Sequence, residues 1–280
     1  MARIEEVLEL EQIDRDIYRG APIETILQRT FGGQVAGQSL VSAVRTVDPE
    51  YQVHSLHAYF LRPGKPKVPT VYRVERIREG RSFRTRRVNA VQDGEIIFVM
   101  SASFHRGDEG IEHSDQMPPV PAADELPDPQ NHPKYRDRWE LKEWSNWDLR
   151  IVPKEQTELH PRLASQQRVW MRYRAPLPDD QTTHVCTLAY MSDMMLLGSA
   201  LVPHPRAQVQ MASLDHAMWF FRPFRADEWL LYDQVSPFAG GGRSFTQGRI
   251  FDVNGTLVAA VAQEGLTRWL RNPDEDGAHA

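Results

Sequence analysis

The sequence predicts an α+β fold of two tandem units, each a central helix wrapped by a curved antiparallel sheet. Three observations predict it: a duplicated set of landmarks, strand-like runs joined by tight-turn signals, and a helix candidate that is apolar on almost every side. The duplication fixes the number of units. Arg62-Pro63, Gly80-Arg81-Ser82-Phe83 and Asp93-Gly94 recur as Arg222-Pro223, Gly242-Arg243-Ser244-Phe245 and Asn254-Gly255, at offsets of 160, 162 and 161 residues. Three landmarks in order at near-constant spacing mark a repeated unit.

Each element has its own local reason. The opening Met-Ala-Arg-Ile-Glu-Glu-Val-Leu reads as an amphipathic helix with Ile4, Val7, Leu8 and Ile13 inward. Ala36, Leu40, Ala43, Val44 and Val47 lie at helical spacing and Asp48-Pro49 stops them, so a helix is expected over 33–47. Strand-like runs follow at 53–61, 68–78, 81–92 and 95–105, with Asp93-Gly94 as a hairpin turn. The second unit repeats the plan: a strand at 168–173, a helix at 183–202, and strands at 208–221, 228–235, 243–253 and 256–267. Residues 194–202 are apolar on nearly every face, which suits a helix enclosed by a curved sheet. That is a hot-dog arrangement, here occurring twice, a double hot-dog.

Between the units, Pro118, Pro119, Pro121, Pro127, Pro129 and Pro133 exclude both helix and central strand. The expected division is an N-terminal unit over 1–116, a proline-rich crossover over 117–160, and a C-terminal unit over 161–280. Trp139, Trp144 and Trp147 are expected to pack the crossover onto a unit.

Composition excludes several function classes. With 280 residues, 41% apolar and 25% charged, the chain is globular rather than disordered. Its 33 basic and 38 acidic residues leave a net charge of −5, so no global field favours nucleic acid or an anionic membrane. Cys186, the single cysteine, permits no internal disulfide and has no metal-ligand spacing around it, which fits a reducing compartment. No run approaches the roughly 18 apolar residues of a membrane span. The early acids argue against a signal peptide, and the final Asp-Gly-Ala-His-Ala matches no peroxisomal or endoplasmic-reticulum address, so a cytoplasmic location is expected.

The chain resembles the acyl-CoA thioesterase II family, the TesB-like double hot-dog hydrolases. Phe31-Gly32-Gly33-Gln34, His54-Ser55-Leu56-His57-Ala58-Tyr59-Phe60-Leu61-Arg62-Pro63-Gly64 and Arg86-Arg87-Val88 carry the resemblance in the first half. Asp215-His216-Ala217-Met218-Trp219-Phe220, Arg222-Pro223-Phe224, Glu228-Trp229-Leu230-Leu231-Tyr232 and Gln263-Glu264-Gly265 carry it in the second. The resemblance implies hydrolysis of acyl-CoA to free acid and coenzyme A, a step of lipid metabolism that uses neither metal nor organic cofactor. By the same resemblance the C-terminal unit, 161–280, carries the active site, where an aspartate, a hydroxyl residue and a glutamine would activate the attacking water. By motif these fall on Asp193, Ser213 and Gln263, with Ser213 standing where many relatives have threonine. Acyl-CoA as substrate and a homo-oligomer, dimer or tetramer, are implied by the same analogy.

Read without the family, the same residues carry two meanings. With Val185, Leu188, Ala189, Ser192 and Leu196 on one helical stripe, Asp193 projects at its edge, where a buried carboxylate needs polar partners. Strand parity puts Gln263 on a face with Leu257, Ala259 and Val261, and Ser213 is also in a strand. Three such groups aimed into one interior could hold a water, or could form a satisfied polar network that fixes helix to sheet. The duplication places Ala102 opposite Gln263, so one active site per chain is expected.

The other conspicuous residues read as structural. Asp215 and His216 are adjacent in a strand and face opposite sides. Gly240-Gly241-Gly242 lacks the lysine and helix of a phosphate loop. Arg73, Arg76, Arg78, Arg81, Arg84, Arg86 and Arg87 fit a solvated sheet face better than a nucleotide contact. Attack by Ser213 as a nucleophile would want a Gly-x-Ser-x-Gly elbow, which is missing. A non-catalytic acyl-CoA-binding or scaffold protein, or a hot-dog hydratase or dehydratase using Asp215 and His216, are the competing functions.

Overall fold

The computed structural model describes residues 2–131 and 139–270; Pro133 and the side chain of Trp139 lie outside the described residues. The first half forms α1 (Ile4–Leu8), β1 (Leu10–Asp14), β2 (Ile17–Gly20), α2 (Gly32–Val44), β3 (Gln52–Phe60), β4 (Thr70–Glu79), β5 (Phe83–Gln92) and β6 (Glu95–His105). After α3 (Trp139–Glu143) and β7 (Trp147–Ile151) come β8 (Gln166–Tyr173), α4 (Gln181–Met191), β9 (Val209–Ser213), β10 (Asp215–Phe220), β11 (Leu230–Gly240), β12 (Arg243–Asp252) and β13 (Leu257–Trp269). Every described strand pair is antiparallel, and the strands form one continuous sheet in the order β1-β2-β4-β5-β6-β3-β10-β13-β12-β11-β8-β7, with β9 beside β13. The seam between the halves is β3 against β10, in the register Ala217↔His57. Two central helices inside one curved antiparallel sheet make the double hot-dog expected from the sequence.

The two central helices touch because α2 is small on one side. Gly33 and Gly37 are four residues apart and so share a face; a Cβ on Gly33 would collide with the carbonyl of Tyr190, and one on Gly37 would lie 3.2 Å from the carbonyl of Cys186. The start of α2 therefore meets the end of α4. One apolar core, including Leu40, Leu56, Phe98, Met171, Leu188 and Val261, runs through both halves around these helices. A second cluster of Leu126, Trp170, Trp229, Leu231 and Phe251 lies under the proline-rich segment, which thus covers the outer face of β8, β11 and β12. Trp147 stacks on Tyr190 at 5.4 Å and Trp144 meets Phe31 at 5.5 Å, so the segment also braces the start of α2. β7, inside that segment, extends the sheet by pairing with β8.

Three sequence expectations are corrected. The helix expected over 183–202 ends at Met191, although its N-terminus is well capped by Asp180, whose carboxylate accepts from Thr183 N–H at 2.9 Å. The Ser192 carbonyl accepts from the Tyr232 hydroxyl at 3.1 Å, and residues 192–202 turn, with a short 3₁₀ segment at Leu197–Leu201. The strand expected over 208–221 breaks at Leu214, where the register against β13 slips by one residue. Ile13, expected inward, is 45% exposed because the chain leaves α1 to pair as β1.

Candidate active site

The helix end and the strand break are what assemble the cluster. Asp193 sits in the turn after α4, Ser213 ends β9, and Gln263 points inward from the middle of β13. The bulge at Leu214 is stabilised by Asp215, whose Oδ1 accepts the Glu264 N–H at 2.6 Å, while the Leu214 N–H reaches the Glu264 carbonyl at 2.9 Å. That slip separates the parity of Ser213 from that of β10 and aims its hydroxyl at Asp193.

The structure brings all three sequence-derived site residues into mutual hydrogen-bond contact. Gln263 Nε2 donates to Asp193 Oδ1 at 2.8 Å and to Ser213 Oγ at 2.6 Å; Ser213 Oγ donates to Asp193 Oδ1 at 3.0 Å. Every proton is accounted for: two amide hydrogens and one hydroxyl hydrogen serve three contacts. Gln263 is fully buried, whereas Asp193 and Ser213 keep part of their surface open. Asp193 Oδ1 is thus occupied. Oδ2 faces the start of α2, where a Cβ on Gly32 would lie only 2.5 Å from it.

Electrostatics divide cleanly by cause. Loss of hydration raises the Asp193 pKa, and this is the largest effect; the charge that His216 carries when protonated, the Gln263 amide, the Ser213 hydroxyl and the Gly33 backbone N–H oppose it. The Gly33 N–H belongs to the positive end of α2, which favours an anion there. Burial likewise lowers the pKa of His216 and keeps its ring neutral. A partly exposed carboxylate with a raised pKa, one oxygen held by Gln263 and Ser213 and the other beside the start of α2, is chemically suited to act as a general base.

Sequence reasoning missed three contributors. His216 is buried behind Gln263 and bonded to it, whereas Asp215 is spent on the bulge; the two do not form an acid-base pair. Parity held a signal, since His216 shares its face with Met218 and Phe220. Gly32 and Gly33 form part of the site wall, visible in sequence only as a glycine pair opening a helix. Ser192 is fully buried against His216.

The arginine run lies elsewhere. Arg86, 1% exposed, donates to Thr46 Oγ1 at 2.7 Å and to the Thr46 carbonyl at 2.9 Å, at the far end of α2, roughly 20 Å along the helix from Gly32. A solvated face does not describe Arg86: it is a buried cap on the negative end of α2. Among the described residues, no group of three or more His, Cys, Asp or Glu is placed to hold a metal ion.

Fold and cluster together define a hot-dog protein of the two-unit kind with a carboxylate-centred polar cluster at the contact of its central helices. Residues 21–105 match the family model described as acyl-CoA thioesterase N-terminal domain, and residues 140–266 match that described as acyl-CoA thioesterase. The chain is 60% identical to acyl-CoA thioesterase II TesB2 from Mycobacterium marinum, over 96% of this chain and 99% of that one, with a TM-score of 0.87. It is 44% identical to acyl-coenzyme A thioesterase 8 of Mus musculus over 94% of this chain and 88% of that protein. Acyl-CoA thioesterase 2 of Haemophilus influenzae is 34% identical over 94% of this chain and 96% of that protein. The chain belongs to the acyl-CoA thioesterase family.

Proposed function

We propose that the chain hydrolyses acyl-CoA thioesters to carboxylic acid and coenzyme A, with a water activated by Asp193, Ser213 and Gln263. The observation that carries this reading is the closed triangle of hydrogen bonds on Asp193 Oδ1, which leaves Oδ2, on the side of Gly32 and Gly33, as the base. Water donates a hydrogen bond to Oδ2 and attacks the thioester carbonyl. Its proton passes to Asp193, the new C–O bond forms, and the tetrahedral intermediate expels the thiolate as the C–S bond breaks. The proton held on Asp193 then goes to the leaving sulfur. Both amide hydrogens of Gln263 are engaged, the Gln34 and Val35 N–H groups bond the Phe31 carbonyl and the Gly33 N–H serves Asp193, so the Gly32 N–H at the start of α2 is the candidate for an oxyanion donor, worth about 3 kcal/mol in comparable sites.

Replacement of Asp193 by Asn tests the reading. It keeps the shape of the site and removes the base, so turnover should fall about 10² to 10⁴-fold in a thiol-release assay. Unchanged rates in a folded Asp193→Asn protein would remove Asp193 from the mechanism.

A cytoplasmic setting is supported by the lone, buried Cys186. No described helix is long and apolar enough to cross a membrane. Assembly into a homo-oligomer, dimer or tetramer, is supported by the uncovered edge strand β1 and by exposed Tyr59, Leu61 and Phe221 near the β3–β10 seam. Light scattering coupled to size exclusion reads it directly, and a single-chain mass would overturn it.

A further inference from the structure

A buried line of hydrogen bonds runs behind the cluster. Ser192 Oγ lies 2.8 Å from His216 Nε2, His216 Nδ1 lies 3.3 Å from Gln263 Oε1, and the Gln263 amide continues the line to Asp193 and Ser213. Its direction follows from proton accounting. With the amide NH₂ held on Asp193, Gln263 Oε1 can only accept, so Nδ1 carries the ring hydrogen; the neutral ring then accepts at Nε2, and Ser192 gives its one hydroxyl hydrogen there at 2.8 Å rather than to the Ala189 carbonyl at 3.1 Å or the Met218 sulfur at 3.3 Å.

The line matters most after Asp193 has taken a proton. While Asp193 is ionised, charge alone keeps the donor end of the Gln263 amide on Oδ1. Once Asp193 is protonated that preference disappears. A rotated amide could then turn Oε1 toward Oδ1, accept the proton there, and draw it away from the side facing Gly32. A hydrogen on His216 Nδ1 opposes the rotation, because the amide NH₂ would then face a second donor in a buried site and leave both without an acceptor.

We propose that His216 is a positioning residue for the hydrolysis: its Nδ1–H locks the Gln263 amide, so that Nε2 stays on Asp193 Oδ1 and the proton taken from water stays on Oδ2. The inference rests on the reading of Asp193 as general base. His216 need not touch substrate; it acts through Gln263.

Two substitutions separate this from a packing role. In His216→Asn the side-chain amide can donate from near the Nδ1 position, whereas in His216→Gln the amide reaches the Nε2 position instead. Both are made in the full chain and repeated in the Gln263→Ala background, with kcat and KM from thiol release and fold checked by thermal melting. His216→Gln should lose about 10- to 100-fold in kcat with KM within about twofold, and His216→Asn should restore kcat to within about fivefold of wild type. In the Gln263→Ala background neither should cost a further twofold or so, because a residue acting through Gln263 has nothing left to act on.

Equal loss in the Asn and Gln variants, or losses that multiply with Gln263→Ala, overturns the proposal. Should His216→Gln fail to fold, His216→Asn decides by itself: a kcat as low as that of Gln263→Ala would overturn it. Asp193→Asn is measured alongside. Wild-type turnover there sinks the general-base reading itself, whereas an inactive Asp193→Asn with multiplying His216 losses sinks only the positioning role.

Discussion

Gly32→Ala is the substitution whose consequence follows most directly from the geometry. The added Cβ would lie 2.5 Å from Asp193 Oδ2 and 2.9 Å from the Phe60 ring, where ordinary contact starts at 3.4 Å. The carboxylate or the start of α2 must therefore give by about 0.9 Å, and the methyl group takes the space in which a water would meet Oδ2. A displacement of about 1 Å in a positioned group costs on the order of 10²-fold in rate. Overpacking of this kind destabilises by about 1–3 kcal/mol, partly offset by the better helix propensity of alanine, roughly 1 kcal/mol. We expect kcat/KM for acyl-CoA, followed by thiol release with a disulfide dye, to fall about 100-fold while the melting temperature drops by no more than about 10 °C. Gly198→Ala is the control, since nothing lies within 4 Å of its added Cβ. A folded Gly32→Ala protein with kcat/KM within about threefold of wild type would refute the placement of the water beside Oδ2.

Other consequences follow from the same cluster. Ser213→Thr keeps the hydroxyl that donates to Asp193 and should retain activity, whereas Ser213→Ala should lose about tenfold or more in kcat; equal rates for the two would make the hydroxyl dispensable. Because burial raises the Asp193 pKa and the ionised form is the base, kcat/KM should be lost as pH falls through a value above the ordinary carboxylate range. Ser213→Ala removes a contact that lowers this pKa, so the acid limb should move further up, and a downward shift would contradict the assignment. The first unit has the buried Ala102 where the second has Gln263, so a tight substrate analogue should titrate one site per chain, and two equivalent sites would argue against a single centre.

Much of this protein was legible before folding because it depends on local periodicity. The repeated Gly-Arg-Ser-Phe and turn signals predicted two like units, and strand parity placed Gln263 inward. The helix end at Met191 was not legible, since the apolar run that follows favours helix locally, whereas the Tyr232 hydroxyl that bonds the Ser192 carbonyl just past the helix end comes from β11, far along the chain. Nor was the break at Leu214, which depends on the Asp215 carboxylate replacing a backbone partner. Arg86 looked like one of seven surface arginines because nothing in its neighbours says that Thr46 waits for it at the end of α2.

The sequence by itself determined the two-unit α+β plan and the identities of the three polar residues, because alternation, turn chemistry and motif are properties of neighbours along the chain. Only the tertiary structure decided which oxygen of Asp193 is held by Gln263 and Ser213, that the start of α2 from the other half forms the wall beside the second oxygen, and that His216 stands behind Gln263. Those facts belong to the packing of segments far apart in sequence, where a one-residue slip or the missing side chain of a glycine sets directions that no local pattern encodes.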